Sequence, residues 1–150
     1  MFNLRAGLLV ALLLFVTQPV LAGGLSADDA MDQFKAYLNN MATEVKQADD
    51  PKEKRAIMDE RLRQMQRAID MTKQYSNVSS SDKDGLKALY ANIADKRAQL
   101  NGSEDYEQIA DIELDEFADY VQQDLEQAQR LVISIGATTL AIILLLLLLL

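Results

Sequence analysis

The 150-residue chain has no cysteine, no histidine and no tryptophan, and only 2 prolines and 6 glycines. Without cysteine there are no disulfides, no lipidated cysteine, no thiolate metal site and no thiol nucleophile. Without histidine the commonest general base and the commonest transition-metal ligand are missing too. Strand signals are essentially absent, which leaves helices as the building material. Basic charge is also short: 15 Lys and Arg stand against 23 Asp and Glu, for a net charge of −8. Such a surface repels phosphate, so nucleic acid is not an expected partner. Together these absences point to a protein that is not an enzyme, with no cofactor and no metal.

Apolar residues concentrate at the two ends. The first segment, "MFNLRAGLLVALLLFVTQPVLAGG", has Arg5 as a short positive region, an apolar run over Ala6–Val16 and a break at Pro19. Val20 and Ala22 satisfy the small-residue rule of signal peptidase, which predicts cleavage before Gly23 and a signal peptide over 1–22. An uncleaved signal anchor is the competing reading, and either one exports the body of the protein.

The last segment, Leu131–Leu150, has 20 residues and no charge. As one helix at about 1.5 Å per residue it would extend roughly 30 Å, the thickness of a bilayer's hydrocarbon core. We expect it to be a C-terminal transmembrane anchor over 131–150, giving the lipid bilayer as a partner. Ser134 and Thr138, and Ala137 and Ala141, are small residues four apart that permit close helix pairing in the membrane. A glycolipid-anchor signal is disfavoured, because "DYVQQDLEQAQR" upstream offers no small cleavage triplet followed by a spacer.

The exported domain, 23–130, is punctuated as four helices. Ser26 with Asp29 three positions on is an N-cap pair, and Met31, Phe34, Leu38, Met41, Val45 and Ala48 follow as one apolar stripe. In "DDP", Asp50 caps a second helix, Pro51 takes its first position and Glu53 its third. Its stripe is Met58, Leu62, Met65, Ile69 and Thr72. "SNVSSSD" is the longest connection, with Ser81 and Asp84 predicted as the next cap pair. Leu86, Leu89, Ile93 and Leu100 make the third stripe, and "NG" at 101–102 ends that helix. Ser103 is predicted to open the fourth, with Ala110, Leu114, Phe117, Val121, Leu125 and Ala128 as its stripe.

Short connections predict antiparallel neighbours. The expected fold is all-α, an antiparallel up-down-up-down four-helix bundle whose last helix continues as one rod into the transmembrane segment. Charge is divided unevenly between its helices: 103–130 holds ten acidic residues and one basic, 51–75 seven basic and four acidic. Partial neutralisation inside the bundle, or between copies of it, is expected.

Candidates for chemistry are few. Asp111, Asp115 and Asp119 form a row at i, i+4 and i+8, but a bundle di-iron site would need Glu-x-x-His pairs, and a solvated acidic face is the better reading. "SDKDG" at 81–85 lacks the spacing of a calcium loop and reads as a helix cap. Met31, Met41, Met58 and Met65 fall on the core stripes. "NVS" at 77–79 and "NGS" at 101–103 are glycosylation sequons that matter only in a eukaryotic host.

The layout of membrane segment, four-helix ectodomain and second membrane segment is similar to the sensing half of bacterial chemoreceptors, a likeness of layout without a shared motif. Two functions follow. The first is a membrane-anchored interaction, scaffold or accessory module at the periplasmic or outer face of a membrane, a bacterial inner membrane for preference, with a protein partner or self-association. The alternative is a minimal sensor that binds a small ligand between helices and signals to a partner membrane protein. Polar residues at stripe positions, namely Thr72, Lys96 and Arg97, are where such a ligand would have to enter.

Overall fold

The computed structural model describes residues 26–103, 105–131 and 135–150, with the side chains of 129–131 outside that description. Every regular element among the described residues is helical. These are α1 (Ala27–Gln47), α2 (Pro51–Thr72), α3 (Ser80–Asn101), a 3-10 turn (Asp111–Glu113), α4 (Leu114–Leu131) and α5 (Ala137–Leu149).

The first two helix starts follow from local side-chain chemistry. Ser26 accepts a hydrogen bond from the Asp29 backbone N–H, and Asp50 accepts one from Lys52 N–H with Pro51 in the first turn. The third start differs from the expectation: Ser79, not Ser81, is the cap, accepting from Asp82 N–H. Val78, just before it, is buried against the core, and that anchoring selects the first serine of the run.

Phe34, Leu38, Met41 and Val45 of α1, Met58, Leu62, Met65 and Ile69 of α2, and Leu86, Leu89, Ile93 and Leu100 of α3 form one contiguous core. Leu114, Phe117, Val121 and Leu125 of α4 complete it. At about 1.5–3 kcal/mol per large apolar side chain, this burial is the main favourable term for the fold. α1 packs on α2 and α4, α2 on α3, and α3 on α4. Contacts between Asp59 and Arg97 and between Lys73 and Tyr90 show that α2 and α3 run in opposite directions.

Two expectations about the last third of the chain are corrected. The fourth helix begins at Leu114 rather than Ser103. After α3, Gly102 turns the chain with φ +78°, and Ser103 and Tyr106 exchange backbone hydrogen bonds. The acidic residues between 104 and 113 have no Lys or Arg among them to form helix-supporting pairs. This segment is held from outside instead, as described below.

Nor does α4 run on as one rod. Gly136 has an extended backbone, φ −63° and ψ 150°, and caps a separate helix, α5. α5 packs on α1 and α2, and Leu140, Ile143, Leu144, Leu146 and Leu147 join the core. In water a continuous rod would leave its whole apolar end solvated, and seating α5 on α1 and α2 buries its inward arc. No helix among the described residues is long and apolar enough to cross a membrane.

Candidate functional site

Polar side chains inside a helical core either serve a site or are satisfied by one another. Thr72, fully buried, donates its hydroxyl to the Ala68 carbonyl one turn back, at 2.7 Å. Lys96 reaches across from α3 to α4. Its ammonium lies 2.9 Å from Asp124, donates to the Tyr120 hydroxyl at 2.7 Å and sits 4.3 Å from the Tyr120 ring centroid. Burial alone pulls its pKa down, and the bonds to Tyr120 and Asp124 more than reverse this, leaving it above the ordinary lysine value.

Arg97 turns instead toward α2, donating to Asp59 at 2.9 Å and to Gln66 Oε1 at 2.9 Å. Asn101 adds a bond to the same Asp59 carboxylate at 2.8 Å. Burial pushes the Asp59 pKa up, but the Arg97 and Asn101 hydrogen bonds and the nearby positive charge hold it below the ordinary value. The three polar interruptions foreseen in the stripes are thus closed by internal partners. Among the described residues Asn92 Oδ1 is the buried side-chain atom left without one.

The acidic row of 111, 115 and 119 is matched residue by residue. Arg55 pairs with Asp111 at 2.9 Å, Lys54 with Asp115 at 2.6 Å and Lys46 with Asp119. Arg55 does more than neutralise charge. Its guanidinium also donates to the carbonyls of Leu100 and Ile109, so one side chain pins both ends of the 101–110 segment. Across α1 and α2, Glu44 takes a bidentate pair from Arg61, whose guanidinium lies 5.9 Å from the Tyr37 ring. These contacts fix register between helices, each worth only about 0–1 kcal/mol where solvent reaches it. Among the described residues no group of three acidic side chains is arranged to hold a metal ion.

The remaining candidate surface is α5. Its inward arc, Thr139, Leu140, Ile143, Leu144, Leu146 and Leu147, is buried. Its outward arc is apolar as well: Leu145, Leu148 and Leu149 are 59%, 70% and 75% exposed, and Leu150 beyond it 45%. Thr138 is exposed on that arc, with Ala137 and Ala141 half-buried. Three of the four small residues expected to permit helix pairing therefore share the outward side, while Ser134 lies outside the described residues. Val20, Ala22 and Gly23 of the expected peptidase site do too.

Sequence reasoning missed how α5 begins. Gly136 offers no side-chain cap of its own, and Asp82 of α3 supplies one from outside. Its carboxylate accepts from the Gly136 backbone N–H at 3.3 Å and from the Thr139 hydroxyl at 2.5 Å. A negative charge there also favours the positive end of the α5 dipole. No local signal links positions 82 and 136. The nearest hint was Thr139, one of three hydroxyl residues in the segment 131–150. No family model, no curated protein and no solved structure matches the chain.

Proposed function

We propose that the chain is a non-catalytic, exported interaction or scaffold module, tethered to a membrane by its C-terminal helix. In this reading α1–α4 form an antiparallel up-down-up-down four-helix bundle that is displayed on the periplasmic or outer face. The leader delivers it there, and the apolar segment 131–150 is its attachment to the bilayer. The observation that carries the reading is that α5 is apolar on both arcs, with Leu145, Leu148 and Leu149 facing outward. A helix that only completes a water-soluble body would carry polar residues on that side.

The internal pairing of Lys96 and Arg97 supports a scaffold over a sensor, because neither side chain is left free to greet a ligand. The sensor reading keeps one specific observation, the unpartnered Asn92 Oδ1 on α3. Alkaline carbonate extraction of membranes from cells that export the chain tests the tether. Retention in the pellet, with the helical body open to protease from the outer side, is the expected result. Release into the supernatant would overturn it.

A further inference from the structure

We propose that α5 is an exchangeable anchor. In water it is seated on α1 and α2 and capped by Asp82, and it passes as a whole helix from that seat into a neutral lipid bilayer. This rests on the membrane-tether reading and adds how the tether is kept before it is used.

The first ground is the helix's composition around its circumference. With Ile143 and Leu144 on the inward arc and Leu145 and Leu148 on the outward one, no side of α5 requires water. The seat therefore satisfies only one arc. At about 120 Å² per leucine side chain, the exposures of Leu145, Leu148, Leu149 and Leu150 leave roughly 300 Å² of apolar surface uncovered.

The second ground decides what covers that surface. A stable dimer interface needs about 800 Å² from each partner, so this strip is too small to hold a second copy by itself. The net charge of −8 opposes self-association and opposes an anionic membrane alike. A neutral bilayer meets neither objection. It also accepts both arcs at once, which a flat protein surface does not. α5, 13 residues and about 20 Å long, reaches through roughly two-thirds of a 30 Å hydrocarbon core on entering it.

The third ground is the cap. The Asp82 carboxylate bonds Gly136 N–H and the Thr139 hydroxyl only while α5 is seated. On release, Thr139 can bond the carbonyl one turn back, as hydroxyls in apolar helices do. Asp82 then keeps no partner on α5. The carboxylate–Thr139 contact is thus specific to the aqueous state, and its strength sets how readily the anchor departs.

The chain lacks tryptophan, so single-tryptophan variants of the full chain report one position each. Leu144→Trp reads the inward arc and Leu145→Trp the outward arc, with phosphatidylcholine vesicles and brominated phosphatidylcholine as the lipid-phase quencher. Exchange requires that brominated lipid quench both tryptophans, at low and high salt, without added anionic lipid. Thr139→Val and Asp82→Ala should each raise the vesicle-bound to free ratio about fivefold, the equivalent of losing one helix cap. Quenching of the Leu145→Trp variant alone would overturn exchange yet leave a peripheral tether standing. Quenching of neither would sink exchange and tether together. Protection that rises with protein concentration in the absence of lipid would assign the strip to a second copy, against the proposal. An unchanged ratio in both Thr139→Val and Asp82→Ala would remove the cap from it.

Discussion

The Lys96–Asp124 pair should respond very differently to losing one partner or the other. The lysine side chain is 5% exposed and the aspartate 34%. Asp124→Asn leaves an ammonium in a nearly dry site with only the Tyr120 hydroxyl and ring for company. Removing one partner of a fully buried pair costs about 3–5 kcal/mol, and the water already reaching this site reduces the expected cost to about 2 kcal/mol. Lys96→Met takes away the charge that burial penalises and leaves a carboxylate already one-third in water. What it loses is the part-exposed ion pair, about 1 kcal/mol, and a cation–π contact of about 1–2 kcal/mol. Most of that is returned by the relief of lysine desolvation. A net cost of about 0–1 kcal/mol is expected.

The pH dependence carries the sharper sign. In the native chain Lys96 has a folded pKa above its unfolded one. Its contribution is therefore complete below the unfolded value, near 10.4, and is lost as pH rises through the folded value. Asp124→Asn removes two of the causes that raise the Lys96 pKa and leaves burial opposed by Tyr120 alone, so the folded pKa falls. The loss of stability with rising pH should then be smaller in the variant than in the native chain. Urea unfolding of both variants, followed by helical circular dichroism in mild nonionic detergent from pH 7 to 11, checks this. Comparing each variant with the native chain cancels groups such as Tyr37, whose pKa burial also raises. A Lys96→Met variant as costly as Asp124→Asn, or an Asp124→Asn variant that loses stability with pH as steeply as the native chain, would refute the reasoning.

Gly102→Ala should cost about 1–2 kcal/mol, because its φ of +78° suits only glycine and an added Cβ would sit 3.1 Å from Gln108 Cβ. The loss should appear first as faster hydrogen exchange at Ile109, whose N–H donates to the Gln99 carbonyl, and unchanged exchange would contradict it. Asn92→Ala should leave stability unchanged or raise it by up to about 1 kcal/mol, since it removes an acceptor without a partner and improves helix propensity. A clear loss in thermal unfolding would mean that Asn92 has a partner in solution. Asp59, with its pKa lowered, stabilises above the unfolded carboxylate value, near 3.9, and loses that contribution as pH falls through the folded value. Asp59→Asn should be about 1 kcal/mol less stable than the native chain at pH 7 and converge with it in acid titration as pH falls through the folded value, and a constant gap would count against the pairing.

Where a helix start depends on its own neighbours, it was legible. Ser26 with Asp29, and Asp50 with Pro51, each carry their cap within one turn, and the apolar stripes of α1–α3 fall almost wholly in the core. Where the deciding contact is distant, it was not. The segment before α4 continues an apolar period back to Ala110, yet its backbone conformation answers to Arg55, more than forty residues earlier, which takes the Leu100 and Ile109 carbonyls. The same holds for the pairing of the 111–115–119 row with Arg55, Lys54 and Lys46, which period and charge make plausible but only packing specifies. The tail is the extreme case. Hydropathy reports that 131–150 is apolar on every side, and that property is compatible with a bilayer, with a groove, or with first one and then the other. In water α5 packs on α1 and α2, and its start is set by Asp82, whose carboxylate meets Gly136 and Thr139 across more than fifty residues. A stretch without polarity sets a strong drive to leave water and no direction. Direction comes from the few polar atoms at its edge, and here those are one threonine hydroxyl and one backbone N–H.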